Sequence, residues 1–81
     1  MINVPVTFEF KGEAYSGCLS QVIGAGSTAM FYLMIDRFYY GRLRHSDFQG
    51  AWVFDTNKGS MGWEILAEYF GYIVISWNDS H

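Results

Sequence analysis

Apolar and polar side chains alternate over the start of the chain. The even positions from 2 to 10 are aliphatic or phenylalanine, and polar residues or proline separate them. A period of two is typical of a β-strand that turns one face to the core and the other to water. Pro5 has no N–H group for a neighbouring strand, so we expect this strand to lie at the edge of a sheet. The sequence Lys11-Gly12-Glu13 predicts the turn that ends it, because glycine adopts a positive φ at little cost.

Two aromatic, apolar runs in the middle of the chain predict a central β-hairpin. They occupy residues 30–35 and 38–44 and meet at Asp36-Arg37. We interpret this pair as a two-residue turn, with a longer loop as the alternative because arginine is a poor residue at a positive φ. A glycine at position 41 is expected to mark a bulge or the close approach of an aromatic ring. Alternation places Phe38, Tyr40, Arg42 and Arg44 on one face, and Tyr39, Gly41 and Leu43 on the other.

The remaining segments predict three more strands and one helix. Residues 15–23 and 51–54 have the composition of strands two and five. Ser60 can serve as a helix N-cap and Gly71 as the residue that ends a helix, so we expect a helix over residues 61–70. The apolar run at residues 72–77 then predicts a sixth, interior strand. This order, βββββαβ, indicates an α+β fold: a curled, mainly antiparallel sheet or a small, partly open barrel of about six strands with one helix.

The composition indicates a folded, single-domain protein with a negative net charge. The 81 residues fit a single domain, 1–81, and a hydrophobic content of 51% with 16% charged residues is typical of a folded chain. A net charge of −3 argues against a global attraction to nucleic acid or anionic lipid. Cys18 is the single cysteine, so no disulfide can form within the chain. We therefore expect a cytoplasmic protein, with neither a signal peptide nor a membrane helix.

The compact group of catalytic residue types in the sequence is His45-Ser46-Asp47. Catalytic triads are assembled from distant positions, and on an extended segment Ser46 points away from both neighbours. We therefore interpret the tripeptide as a turn whose side chains bond nearby backbone. A small hydrolase-like site or a metal site around His45, with His81 as a further ligand, is the outlying alternative. We predict that the protein is not an enzyme and has no catalytic residue, metal ligand or cofactor.

The central hairpin also holds the local concentration of positive charge. Its three arginines are among only five lysine and arginine residues in the chain, and aromatic residues lie between them. Arginine beside stacking aromatics on a strand face is the chemistry by which OB-like and RRM-like sheets hold single-stranded nucleic acid. The alternative is internal pairing of the arginines with Asp47, Asp55 or the acidic side of the helix. The candidate binding residues are Arg37, Tyr39, Tyr40, Arg42 and Arg44.

The number of aromatic residues suggests a second kind of binding. Aromatic residues make up 20% of the chain, and a domain of this size cannot easily bury all of them. Either an exposed aromatic patch, which typically marks a protein partner or self-association, or half-buried rings with wet polar ends would result. Our leading hypothesis is a cytoplasmic protein-interaction or accessory module, in one form a homodimer joined through an aromatic β surface. Single-stranded nucleic-acid binding is the second hypothesis.

Short segments spread over most of the chain carry a family resemblance. They are Met34-Ile35-Asp36, Tyr40-Gly41-Arg42-Leu43, Asp47-Phe48, Gly50-Ala51-Trp52-Val53-Phe54-Asp55, Glu64-Ile65-Leu66-Ala67 and Gly71-Tyr72-Ile73. In these segments the chain resembles a group of small, β-rich, uncharacterised bacterial proteins with no assigned function. The resemblance implies a compact bacterial domain. It transfers no site residue, because the shared segments are structural in character.

Overall fold

Strands that follow one another along the chain also lie side by side. A computed structural model describes residues 2–22, 30–57 and 62–80, and five strands form one antiparallel sheet in chain order. The sheet curls into a half-barrel, and a C-terminal helix contacts both its first and its last strand. The predicted α+β class with a curled antiparallel sheet is confirmed. The elements are β1 (Asn3–Phe10), β2 (Glu13–Gln21), β3 (Met30–Ile35), β4 (Phe38–Ser46), β5 (Ala51–Thr56), a 3-10 turn (Trp63–Leu66) and α1 (Ala67–Ser80).

The first strand lies at an edge of the sheet, as the proline in it predicts. The Gln21 N–H donates to the Ile2 carbonyl over 2.8 Å, so the backbone groups of Ile2 face β2. Since backbone groups alternate along a strand, those of Pro5 face the free edge, where no N–H is needed. Lys11 and Gly12 join β1 to β2 with φ angles of 52° and 81°. The predicted turn and its positive-φ glycine are both confirmed.

The central hairpin has the two-residue turn that its sequence predicts. Ile35 pairs with Phe38, and Asp36 and Arg37 between them have φ angles of 52° and 71°. Two successive positive φ angles give the turn a twist that matches the twist of the flanking strands. Arg37 therefore adopts a conformation that glycine would adopt with less strain. Because only Asp36 and Arg37 form the turn, the Arg37 side chain lies at its tip.

A β-bulge in β4 changes which side chains share a face. Leu33 pairs with Gly41 and Met34 pairs with Tyr39, so Tyr40 is the extra residue on the bulged strand. One extra residue reverses the inward and outward alternation on one side of the bulge. Tyr39 therefore joins the outward-facing residues, while Tyr40 turns towards the core.

The glycine beside the bulge allows a close contact with the next strand. A Cβ atom at Gly41 would lie 2.5 Å from Cζ of the Phe54 ring, closer than two carbon atoms can approach. Phe54 is buried and contacts the ring of Phe70 on α1, with the ring centroids 5.3 Å apart. Both expectations for Gly41, a bulge and the close approach of an aromatic ring, are confirmed.

The C-terminal segment is helical where a sixth strand is predicted. The helix α1 includes residues 72–77, so the predicted sixth strand and the order βββββαβ are wrong. Buried residues recur at helical spacing, at Ala67, Phe70, Gly71 and Val74, and all but the glycine belong to the buried apolar core. The predicted N-cap residue, Ser60, lies outside the described residues. Among the residues that the structure does describe, no helix is both long enough and apolar enough to span a membrane.

Gly71 lies within α1 rather than after its end. A Cβ atom at this position would overlap the indole ring of Trp52, so the missing side chain lets β5 and α1 approach each other closely. Glycine disfavours a helix interior by about 1 kcal/mol relative to alanine, but contact with a large ring can offset this cost. The glycine is thus a packing residue and not a terminator.

Two neighbouring residues of α1 bond to the two edges of the sheet. The Glu68 carboxylate accepts the Trp52 N–H on β5 over 3.2 Å, and the Tyr69 hydroxyl donates to the Thr7 carbonyl on β1 over 2.8 Å. Unpaired backbone groups at a sheet edge otherwise bond to water or to another chain. The helix therefore completes the half-barrel in the position that a sixth strand would take.

Trp63 lies at the centre of the aromatic core and contacts several other rings. It is only 3% exposed, and its ring centroid lies 4.9 Å from that of Phe8, 4.8 Å from that of Tyr15 and 5.5 Å from that of Tyr40. Two of these contacts are edge-to-face and the Tyr40 contact is stacked, both of which are favourable ring arrangements. Much of the aromatic content of the chain is therefore used inside the fold.

Candidate functional site

The side of the sheet that points away from α1 presents aromatic, sulfur-containing and charged residues. Strand register puts Tyr32 in one row with Ser20 on β2 and Arg42 on β4, and the row continues to Asp55 on β5. The core residues lie on the opposite, inner side, against α1. We call this side the outer face and define it by Cys18, Ser20, Met30, Tyr32, Met34, Tyr39, Arg42, Arg44, Val53 and Asp55. Within residues 2–22, 30–57 and 62–80, no helix or strand covers the outer face.

Two arginines on the outer face share one carboxylate. Arg42 Nη2 and Arg44 Nε each donate to Asp55 Oδ2 over 3.0 Å. Arg42 is directly opposite Asp55 in the register, and Arg44 reaches it from the diagonal position. The three side chains together keep one net positive charge, and each guanidinium group has N–H donors that its bond to Asp55 does not use. Of the partners predicted for the arginines, the structure selects Asp55.

The shared carboxylate has a lowered pKa. Partial burial raises the pKa of Asp55, but hydrogen bonds from Arg44 and Arg42 and their positive charges outweigh this effect and lower the pKa below its ordinary value. Because the pKa is lower in the folded state, ionised Asp55 stabilises the fold above pH about 4. This contribution is lost as the pH falls through the folded-state pKa.

The substitution Asp55→Asn tests this ion-pair network. We expect it to reduce the free energy of unfolding at neutral pH by about 1 kcal/mol or less, because all three side chains are partly exposed to solvent. The difference from the wild type should shrink as the pH falls from about 4 through the lowered folded-state pKa of Asp55. Urea unfolding at neutral and acidic pH measures both. Asp79→Asn, at a residue with no ion pair in the described part of the chain, is the control, and a loss that stays constant into acid would contradict the ion-pair explanation.

Two tyrosines form the aromatic part of the outer face. The rings of Tyr32 and Tyr39 meet edge to face, with centroids 5.1 Å apart and an angle of 82° between their planes. They are 40% and 42% exposed, so each ring contacts its neighbour and still presents surface to solvent. Tyrosine in this setting offers apolar area and a hydroxyl group at low entropic cost. Met34, paired with Tyr39, extends the apolar surface towards β2.

The predicted site residues are only partly brought together. Tyr39, Arg42 and Arg44 lie on the outer face, although Tyr39 is there because of the bulge. The prediction that Tyr40 shares this face is wrong: Tyr40 turns inward and stacks on Trp63. Arg37 lies at the turn, beyond the end of the face.

Sequence reasoning missed Tyr32 and Met34 as members of the outer face. Both lie on β3, the strand paired with the arginine-bearing strand, and they occupy alternate positions of an almost wholly apolar run. Such a run conceals its exposed face, because alternation of apolar and polar residues is the usual signal. The arginines opposite β3 are the signal that could have revealed that face, since a charged residue marks the solvent side of its neighbour.

His45 and Ser46 are the last residues of β4, and the turn to β5 follows them. His45 Nδ1 lies 3.2 Å from Asp47 Oδ1, but Ser46 Oγ instead accepts the Gln49 N–H over 3.2 Å. The imidazole ring also meets the edge of Trp52, with centroids 5.2 Å apart. The predicted bond between a side chain of this tripeptide and nearby backbone is confirmed at Ser46, whereas the turn itself occupies residues 47–50. In the described ranges no three metal-ligating side chains come together, and His81 lies outside those ranges.

Two surface grooves lined by described residues lie away from His45. The larger, about 590 Å³, is a shallow groove on the β1–β2 hairpin, and the smaller, about 250 Å³, lies between β1 and the start of α1. Phe8, Glu9 and Tyr69 line both grooves. Each is open to solvent and bordered by a single carboxylate, which gives no nucleophile, base and orienting group in one place.

The cysteine lies on the outer face, where burial is incomplete. Cys18 pairs with Met34 in the register, and its Sγ lies 3.6 Å from Ser20 Oγ. Cys18 is half-buried. Its position makes the thiol a natural reporter for any molecule that covers this side of the sheet.

Neither the protein-family models, nor the curated proteins, nor the solved structures contain a match to this chain. The resemblance to small bacterial proteins therefore stays a prediction, and the outer face has to be interpreted from its own chemistry.

Proposed function

We propose that this chain is a non-enzymatic, cytoplasmic protein-interaction module that binds a protein partner through the outer face. The observation that supports the proposal is an uncovered sheet face on which a fixed tyrosine pair lies beside an arginine pair held by one carboxylate. Tyrosine and arginine are the residues most enriched at binding hot spots, where a few side chains provide most of the affinity.

The chemistry of the outer face indicates what the partner presents. The tyrosine pair and Met34 favour an apolar side chain at the centre of the contact. The unused donors of Arg42 and Arg44 favour a carboxylate or backbone carbonyl groups at its border. Because Asp55 orients both guanidinium groups before binding, little side-chain entropy is lost when the partner docks.

Single-stranded nucleic acid is the second candidate for this face. Exposed tyrosine rings next to arginines suit base stacking and phosphate contact. Asp55 weakens this candidate, since it cancels one of the two positive charges and would lie close to any phosphate bound by the arginines. An arginine pair with only one net positive charge suits a protein partner better than a polyanion.

The test is capture of a partner from a bacterial lysate, followed by titration of the purified partner. We expect Tyr39→Ala to weaken binding by about 2 kcal/mol, roughly 30-fold in Kd, because it removes an exposed ring from the centre of the face. Phe48→Ala, which removes an exposed aromatic ring from the turn between β4 and β5, is the matched control and should bind like the wild type. Bound partner should also slow alkylation of Cys18.

Three other results would contradict binding of a protein partner through the outer face. A partner that binds Tyr39→Ala as tightly as the wild type and leaves Cys18 reactive would place the contact elsewhere. Failure to retain any protein would contradict the proposal. Salt-sensitive binding of a labelled single-stranded oligonucleotide, lost in Arg44→Ala, would instead support the second candidate.

A further inference from the structure

The helix carries an apolar stripe on the side that faces away from the core. Ile65 is 78% exposed and Tyr72 is 67% exposed, with Tyr69 and Ile75 also exposed between and beyond them. Spacings of three residues place Tyr69, Tyr72 and Ile75 on one side of α1, opposite the buried Phe70, and Ile65 lies four residues before Tyr69 in the 3-10 turn. We call Ile65, Tyr69, Tyr72 and Ile75 the helix stripe. A row of large apolar side chains bordered by polar groups is typical of a contact surface.

The border of the helix stripe is acidic. Glu64 and Glu68 lie four residues apart, and Asp79 lies four residues after Ile75. The sequence contains no lysine or arginine from residue 59 to residue 81. Two of the carboxylates are fixed by backbone bonds, Glu64 to the Gly62 N–H and Glu68 to the Trp52 N–H. A partner that complements this surface presents an apolar group with positive charge beside it.

The chain itself presents such a group at the turn of the central hairpin. Phe38 is 68% exposed and directly follows Arg37, which lies in the two-residue turn. In the part of the chain that the structure describes, Arg37 takes part in no ion pair. We call these two residues the hairpin tip. The tight turn fixes their backbone, so docking costs little conformational entropy.

Other exposed groups match the helix stripe less well. Phe48 protrudes most of all, but it follows Asp47, whose charge would be repelled by the acidic border. The positive charges of Arg42 and Arg44 are partly neutralised by Asp55. The hairpin tip alone combines a protruding aromatic ring with an unpaired cation among the described residues.

We propose that the protein self-associates through a contact in which the hairpin tip of one copy docks on the helix stripe of a second copy. Phe38 packs against Tyr72 and Ile75, and Arg37 lies near the acidic border. The contact joins two different surfaces, so it repeats to form a ring or chain, or occurs twice to close a dimer. The contact uses no residue of the outer face. The proposal of self-association can therefore be tested independently of the function proposed above.

Two variants that each block one side of the contact test the proposal. Arg37→Ser/Phe38→Ser removes the hairpin tip, and Tyr72→Ser/Ile75→Ser shortens the helix stripe. All four residues are exposed, so folding should be retained, and circular dichroism verifies this for each variant. By light scattering, the wild type should be heavier than the 9.3 kDa chain, with a mass that rises with concentration. Each variant alone should remain at the mass of one chain.

Mixing the two variants gives the decisive result. One variant keeps an intact helix stripe and the other an intact hairpin tip, so the mixture should form a complex of one copy of each. Neither substitution introduces a charge, so no artificial attraction arises between them. A wild type that is monomeric at all concentrations, variants that still associate alone, or a mixture that stays monomeric would each overturn the proposal. Tyr32→Ala/Tyr39→Ala should associate like the wild type.

Discussion

Replacement of Trp63 by alanine is expected to lower the free energy of unfolding by about 3–5 kcal/mol, the largest effect of any single substitution that we predict. The indole is almost completely buried and contacts the rings of Phe8, Tyr15 and Tyr40 at once. Its removal leaves a cavity between the β1–β2 hairpin, β4 and the start of the helix. For a domain of this size, such a loss is a large part of the total stability.

Urea unfolding followed by circular dichroism measures this effect without relying on tryptophan fluorescence. Ile65→Ala is the matched control, because Ile65 lies in the same 3-10 turn but is mostly exposed. We expect the control to change stability by less than about 0.5 kcal/mol. Trp63→Phe, which keeps a ring in the cavity, should fall between the two. Equal losses of unfolding free energy for Trp63→Ala and Ile65→Ala would contradict the central role of Trp63 in the core.

The second large effect is expected for Gly71→Ala, which should destabilise the protein by about 1–3 kcal/mol. Alanine is the better helix former by about 1 kcal/mol, so the sign of the result separates packing from helix propensity. Packing dominates because the new methyl group would overlap the Trp52 ring, and neither β5 nor α1 can move away without losing the contacts of Phe54 and Phe70.

A double-mutant cycle with Trp52→Ala isolates this clash. In the Trp52→Ala background the space beside residue 71 is empty, so Gly71→Ala should become neutral or stabilising by up to about 1 kcal/mol. The free energy of unfolding of all four proteins, from urea titration, gives the coupling between the two positions. Equal effects of Gly71→Ala in both backgrounds would show that the glycine is not retained for contact with Trp52.

The hairpins were predictable because their signals are local. The alternation of β1 and the proline within it indicate both a strand and its place at the edge, and the turns at Gly12 and Arg37 need only neighbouring residues. The C-terminal helix was not predictable from residues 72–77, where β-branched and aromatic residues have strand propensity. Tertiary packing overrides that propensity, because five strands leave a gap that a helix fills and Gly71 fits against Trp52.

The candidate site was predictable only up to the bulge. Alternation assigns every residue of β4 to a face, but one extra residue at position 40 exchanges the faces of Tyr39 and Tyr40. Gly41 indicates that a bulge is near but not which residue it adds. The pairing of Arg42 with Asp55 depends on the register between β4 and β5, which the chain sets through a turn of ordinary composition.

The bonds from Glu68 and Tyr69 to the two sheet edges also bear on the order in which the chain folds during synthesis. Each strand pairs with the one made just before it, so the sheet can assemble from neighbouring hairpins as the chain emerges. The Tyr69 hydroxyl and the Thr7 carbonyl are separated by 62 residues. This long loop can close only after Tyr69 has left the ribosome, so both edges of the nascent sheet stay open until α1 is made.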